Sequence, residues 1–592
     1  MRDNLIVFYR DVKKASLMLN GEKYLWTYLG SDVKGKKETA ALLGDDSRLL
    51  IGELLQSEAY RIKDSFMEFV TDIGFNKKNM LNWWALNFAS KSPLQGDLFK
   101  LYCFEAVIKD MSKKHSSDNL VFIIEDVWFY KYLASNYRKE YTFIGKRSRL
   151  PSAFRLALLG VYSGLDICFG MLKNKLFNKK TNNKIPSDID VFIYSWVEDR
   201  FFKQNEIVNP YFGRLSDILN DADIRFTNLT PLHIRSDIRK KCIESGKFII
   251  LDSYVGVTDL IKSVFSTIMI TCFALLKFSG QSSLLLREIF YEFSNVSFFT
   301  NKLTYYAFVN WAKSIGDRKI SFIYTFENHP WEKLMCIACK KHSLNTRLVG
   351  YQHSTIPQLL LNYFFTEKEG EIMPLPDYIV ANGEHYQNVL IEAGYAKRVN
   401  VINGGALRYE ALHNLKATDD DIDTMYKKVL IIFPSSRVLT EEILLVLIDY
   451  CNEFSAQDFE FLLKFHPDTP MKTLQDLLEE LPDNFRVSKS PMNEVLAEAG
   501  LVIYSSSTSG LEALLAGKKV VKYYSEHAID LDPLDSFTEV EIRSCFEGNM
   551  RDIILSMFNE KDFLCQRKDI LNLSKVFSPV REDVWKTVLL NR

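Results

Sequence analysis

Residues Leu501–Leu515, LVIYSSSTSGLEALL, decide the fold. An apolar, β-branched run stops at Ser505, Ser506, Ser507, Thr508 and Ser509, and the chain then resumes with helical periodicity as SGLEALLAG. Small hydroxyl side chains and free backbone N–H groups at a helix start suit a phosphate. Glu512, one turn into that helix, could accept from ribose hydroxyls or form a surface ion pair. Upstream, a second strand, FEFLLKFHP (459–467), also ends in a polar pair, His466-Pro467. The proline fixes the turn, and the imidazole can donate to a phosphate oxygen or a base carbonyl. In a parallel sheet both strand ends open onto one edge, the edge at which such sheets bind ligands. A nucleotide or sugar-phosphate site in the C-terminal third follows.

Working outward, strands alternate with helices towards both ends. Early strands are LIVFY (5–9), LVFIIED (120–126), DVFIYSW (190–196) and KFIILDS (247–253). ISFIYTF (320–326), RLVGYQ (347–352) and DYIVAN (377–382) come next. A new series opens after a polar stretch with VLIIFPSS (429–436) and runs to KVVKYY (519–524). The pattern implies α/β architecture with parallel sheets covered by helices on both faces. Two Rossmann-like units are expected, an N-terminal one over 1–410 and a C-terminal one over 411–592, joined near 405–428 and facing across a cleft.

The 592 residues exceed what one core supports. A net charge of −1 argues against nucleic-acid binding by bulk electrostatics. Nine scattered cysteines and a first strand with no secretory leader before it point to a reducing cytoplasm. Cys336 and Cys339 have metal-like spacing but no second pair, and lie in an apolar helical run that reads as buried packing. No metal and no cofactor is expected.

A helical insertion is expected at about 138–185, with a long apolar stretch at 151–177. Arg138–Lys184 carries eleven Lys/Arg against two acids, Glu140 and Asp166. The central aspartate disfavours a membrane span; a basic surface resting on anionic lipid and a helical pair packed on the sheet both fit. The apolar run 260–278, bracketed by Lys262 and Lys277, poses the same choice.

Four further constellations are candidates for the cleft. ISFIYTFENHPWE (320–332) ends a buried strand at Phe326 and sets Glu327, Asn328 and His329 on its lip, before Pro330 opens a helix. Partial desolvation there would raise the pKa of Glu327 towards that of a general base; His329 would assist. Gln352, His353 and Ser354 end the following strand and could hold a hydroxyl or phosphate, or brace a buried loop. Gly404 and Gly405 suit a hinge, a close ligand approach or a plain turn. Ser435 and Ser436 end the first strand of the C-terminal series, where a phosphate contact and an N-cap are both reasonable.

The order Glu-Asn-x-x-Trp-Glu, Gly-x-Gln-His-Ser, Lys-x-His-Pro and Ser-Ser-Thr-Ser-Gly-x-Glu-Ala, spanning about 320–525, resembles bacterial surface-polysaccharide glycosyltransferases of GT-B architecture. Most similar are the capsule- and lipopolysaccharide-type enzymes that use CMP-activated sialic, pseudaminic or legionaminic acid, or Kdo. The resemblance implies that His466-Pro467 and Ser505–Ser507 grip the CMP and that a carboxylate at an N-terminal strand end, Glu327, is the catalytic base. The family's paired-acid-glycine signature is absent around Glu327. The implied donor is a CMP-sugar and the implied acceptor a surface glycan or lipid-linked glycan, handled at the inner face of the cytoplasmic membrane. UDP- or GDP-sugar transfer, CDP-polyol phosphotransfer, and a non-catalytic glycan-assembly role are the alternatives.

Overall fold

The computed structural model describes residues 4–590 except 75–79, 146–147, 178–184, 204–205, 278–282, 411, 413–426, 452–453, 455–458, 468, 470, 538–539, 541 and 560–572. Three parallel sheets organise it. The first joins β1 (Leu5–Phe8), β2 (Leu25–Leu29), β3 (Leu120–Ile124) and β4 (Thr142–Ile144) in the order β2-β3-β1-β4. The second contains β5 (Val191–Tyr194), β6 (Phe226–Thr230), β7 (Phe248–Ile250), β8 (Ile320–Thr325), β9 (Thr346–Gln352), β10 (Tyr378–Ala381) and β11 (Asn400–Asn403), ordered β11-β10-β9-β8-β5-β6-β7. The third contains β12 (Lys428–Ile432), β13 (Glu460–Lys464), β14 (Phe485–Val487), β15 (Leu501–Tyr504), β16 (Lys519–Tyr523) and β17 (Arg543–Cys545), ordered β14-β13-β12-β15-β16-β17. Central strands such as β8 and β16 are buried along their whole length, as helix cover on both faces demands. The carboxyl edges of the second and third sheets open onto a common cleft, which is the GT-B arrangement of two Rossmann-like domains.

The helices that matter for the site are α1 (Gly52–Gly74), α2 (Leu98–Lys114), α3 (Leu150–Phe177), α4 (Val257–Lys277), α5 (Ser283–Ser294), α6 (Ser297–Ile315), α7 (Pro330–His342), α8 (Arg437–Cys451), α9 (Thr508–Leu515) and α10 (Glu582–Leu590). Cys336 and Cys339 are buried in α7, as their apolar setting suggests.

Three features depart from the expected layout. The span 1–410 holds two sheets, not one, because β1 to β4 pair among themselves and none of them joins the second sheet. The insertion is a single 28-residue helix, α3, where a helical pair was one reading; the basic loop after it lies outside the described residues. The end of the chain leaves the third sheet: Trp585 on α10 is fully buried beneath the second sheet, edge-on to Tyr351 with centroids 5.3 Å apart. Its indole N–H donates to the Gly404 carbonyl at 2.9 Å. A Cβ on Gly404 would fall 2.3 Å from Val380 Cγ1, and one on Gly405, where φ is +85°, would fall 2.2 Å from the Pro579 carbonyl oxygen. Both glycines therefore admit the returning segment rather than a ligand, which corrects their expected place in the cleft. Trp585→Ala should cost about 3–5 kcal/mol by vacating this site, read as a lowered urea midpoint; an unchanged midpoint would show that the return crossing contributes little.

The first sheet's unit docks on the third through buried polar contacts. Glu526 accepts from the backbone N–H of Ile51 (2.7 Å) and Gly52 (2.9 Å) at the start of α1. Lys36 and Arg48 both meet Glu547, at 2.8 and 3.0 Å, and the His527 imidazole meets the Gly30 carbonyl at 2.8 Å.

Candidate functional site

All three units converge on a cleft of about 550 Å³. The second sheet contributes Glu327, Ser354 and Thr355. The third contributes Ser435 and Ser436 from the end of β12, Ser506 and Thr508 from the end of β15, and the loop beyond β16 with His527 and Ile529. The first unit contributes Ser31, Asp97 and Lys100.

On the second-sheet side, Glu332 organises the turn after β8. Its carboxylate accepts from the backbone N–H groups of Glu327 (3.0 Å), Asn328 (2.9 Å) and His329 (3.0 Å), orphan donors at the start of α7. Asn328 is buried in the left-handed region (φ +58°), and its amide donates to the Asn362 carbonyl at 2.6 Å. Its role is to hold the turn. The Glu327 carboxylate is thereby presented to the cleft, and it accepts from His329 Nε2 at 2.8 Å; His353 Nε2 lies 3.7 Å away. Burial pushes the carboxyl up, but the His329 hydrogen bond and the nearby charges of His329, His353 and Arg408 outweigh it and hold the pKa down, at about 2. The expected upward shift is therefore reversed: the dominant perturbers are cationic partners that the sequence does not place. Burial lowers His329, but its bond to Glu327 and that carboxylate's charge leave it raised above 6.5. Burial lowers His353 to about 4, so it is neutral at pH 7.

This pair has a pH signature. Glu327's depressed pKa adds stability that is present above its ordinary value of 4.5 and is lost as pH falls towards 2. His329's raised pKa adds stability that is present below 6.5 and is lost as pH climbs through the raised value. The stability gap between wild type and His329→Gln should be widest between pH 4.5 and 6.5 and should narrow on both sides. Urea titrations across a pH series measure it, and a gap flat with pH would contradict the pairing.

On the third-sheet side, β13 and β15 flank β12, so their ends do share one edge, about two strand spacings (~10 Å) apart. The turns after β12 and β15, which start α8 and α9, line the cleft; His466 and Pro467 stand at the next strand end and are not among its lining residues. Within the serine run the roles divide. Ser505 is fully buried with an unpartnered hydroxyl. Ser506 has φ +47°, and both its N–H (2.9 Å) and its hydroxyl (2.6 Å) donate to Asp530. Ser507 caps α9, accepting from the Ser509 N–H at 3.2 Å. Thr508 Oγ1 meets Thr355 Oγ1 at 3.2 Å, linking the two sheets' edges. Ser506 is thus a strained structural residue rather than a free phosphate donor; such non-glycine left-handed residues cost about 1–3 kcal/mol each and gather at functional sites.

Other candidates take bracing roles. Gln352 is fully buried, accepts from the Asn382 N–H at 3.1 Å and donates to the Ser354 carbonyl, so it shapes the loop that presents Ser354. His353 packs edge-on against Tyr211. Burial raises the Glu512 carboxyl against the pull of the Arg408 guanidinium. Asp530, Asp532 and Asp535 lie close enough to hold a cation, and the Lys522 ammonium fills that position at 3.5, 3.1 and 2.8 Å.

Sequence reading missed Ser31, Lys100 and His527. Nothing in their local patterns marks them, and His527 meets Gly30 across 497 residues of chain. It also missed a second chamber of about 700 Å³ at the carboxyl edge of the first sheet, which shares Ser31, Asp97 and Lys100 with the cleft. Its other walls include Glu125, Arg287 and, from the start of α3, Ser152 and Arg155.

No protein-family model matches the chain, and no curated protein matches it in sequence. Among solved structures, it is similar to the UDP-GlcNAc 2-epimerase of Neisseria meningitidis bound to UDP-GlcNAc, at 12% identity over 68% of this chain and 100% of that one, with a TM-score of 0.39. The glycosyltransferase of kitacinnamycin is 13% identical over 68% of this chain and 99% of its own, with a TM-score of 0.39. MurG of Acinetobacter baumannii is 10% identical over 68% and 100%, with a TM-score of 0.36. Likeness this distant says nothing of substrate or reaction.

Proposed function

We propose that the chain is a glycosyltransferase that moves an acidic 3-deoxy sugar from a CMP donor to a glycan or lipid-linked glycan, working as a cytoplasmic enzyme at the inner face of the membrane. One observation carries the reading: a carboxylate, Glu327, shares a single cleft with two helix starts, Ser435–Ser436 and Thr508. The helix starts offer N–H groups and hydroxyls to the leaving phosphate, and Glu327 takes the proton of the acceptor hydroxyl as its oxygen bonds to the anomeric carbon. The bond from that carbon to the CMP phosphate breaks, and CMP departs. His329 keeps its Nε2 hydrogen-bonded to Glu327 and holds the carboxylate in place. No step calls on a metal.

Thermal shift with CMP, UDP, GDP and CDP tests the donor. A ligand at about 100 Kd stabilises by about 2.7 kcal/mol, and CMP should do so alone. Stabilisation by UDP or GDP and not CMP would move the reading to the corresponding sugar transferase; CDP alone would indicate polyol phosphotransfer. No shift with any of the four would favour the non-catalytic role.

A further inference from the structure

Helices α3 and α4 turn large apolar side chains outward as well as inward. On α4, the face against the protein carries Asp259, Leu260, Ser263, Thr267 and Ala274, while the outward face carries Ile261, Phe265, Ile268, Met269 and Leu276, the last 86% exposed. On α3, Gly160 sits against α5 so closely that a Cβ would fall 2.3 Å from the Phe293 ring, while Phe154, Leu158, Tyr162, Leu165 and Phe169 point outward. A surface helix of a protein surrounded by water keeps polar residues on its outward face, and an apolar outward face of this extent marks an interaction site. Both helices are long and apolar enough to cross a membrane, yet their inner sides are fastened to the body. Each packs on α5, and α4 also on α6. Because α5 carries buried Arg287, Glu288 and Glu292, drawing the pair through a bilayer would carry charged groups into hydrocarbon. They are built to lie along one surface.

We propose that the outer faces of α3 and α4 form one platform embedded in a single leaflet of an anionic phospholipid bilayer. The first turn of α3 then sets the second chamber, through Ser152 and Arg155, at headgroup level, where a lipid-borne acceptor enters. This deepens the membrane-peripheral reading above and rests on it, but does not depend on the identity of the donor. The charge pattern selects lipid over a second copy of the chain. Arg149, Arg155, Lys173, Lys262 and Lys277 flank the apolar faces, with Asp166 the exposed acid of α3. A two-fold contact between copies through this face would oppose like charges, whereas anionic headgroups complement them.

Flotation of the full chain with phosphatidylcholine vesicles, with and without phosphatidylglycerol, tests the platform. The chain should float with both and more strongly with phosphatidylglycerol. The variant Phe265→Ser/Ile268→Ser/Leu276→Ser should lose about tenfold or more of its binding while keeping its helical circular dichroism and its thermal shift with nucleotide. Lys173→Gln/Lys262→Gln should lose only the phosphatidylglycerol increment. Hydrogen exchange of the wild type reads the same face without mutation: vesicles should protect α3 and α4 and leave α9 unchanged. A wild type that stays in the aqueous layer with both vesicle types overturns the proposal. So does a dimer in light scattering that the triple variant dissociates, which would assign the face to a second copy. Because nucleotide binding is read separately, failure here leaves the transferase reading standing, and failure there leaves the platform standing.

Discussion

Glu327→Gln should abolish sugar transfer while leaving the fold and donor binding in place. Removal of a general base costs about 10²–10⁴-fold in kcat, and glutamine keeps the volume and the ability to meet His329, whose Nε2 lies 2.8 Å from the carboxylate. Three backbone N–H groups hold the turn through Glu332, not through Glu327, so the loop should stay as it is. The expected result is a collapse of kcat with little change in KM for the donor and an unaltered thermal shift with CMP. Wild-type restoration of surface glycan by this variant in cells would remove Glu327 from the chemistry.

The second large effect is structural and falls on the donor side. Lys522 is nearly buried, and its ammonium offsets Asp530, Asp532 and Asp535. Lys522→Met leaves these acids buried without their cation, a loss of about 3–5 kcal/mol. Burial, followed by the charge of Asp530, already pushes Asp532 up to about 7 despite Lys522. Without the lysine the acids would titrate higher still in the folded state, so the deficit should shrink as pH falls and they take up protons. Asp532→Asn should recover part of the loss in the double variant, a coupling that a double-mutant cycle isolates. Because Asp530 also fixes Ser506 at φ +47°, the single variant should lose CMP affinity as well. A variant as stable as wild type at neutral pH would show that this cluster does not anchor the serine turn.

What could be read from the sequence follows from how locally each feature is encoded. Strands such as ISFIYTF and KVVKYY are continuous apolar runs between turn residues, and they became β8 and β16. FTNLT and NVIN, which became β6 and β11, carry too many polar residues to stand out; Thr142–Ile144 and Phe485–Val487 are only three residues long. Turn chemistry located the cleft: Glu327, Ser435, Ser436, Ser506 and Thr508 all line it. Their duties were less legible. Whether a serine donates to a ligand or to Asp530, and whether a carboxyl is raised by burial or lowered by a histidine, depends on partners elsewhere in the chain. Gly404 and Gly405 looked like a hinge because the segment they admit lies some 175 residues later. The third sheet-bearing unit was hidden for a similar reason. β1 and β3 are plain in the sequence, but nothing local says that they pair with each other and not with β5.

The proposed cytidylate lies in one cleft between the second and third sheets, phosphate towards the starts of α8 and α9. A crystal structure of the chain soaked with CMP tests it most directly. Density is expected beside Ser435, Ser436 and Thr508, with the phosphate against the two helix starts and facing Glu327 across the cleft. Density elsewhere on the molecule, or a cleft that stays empty at saturating CMP, would contradict it.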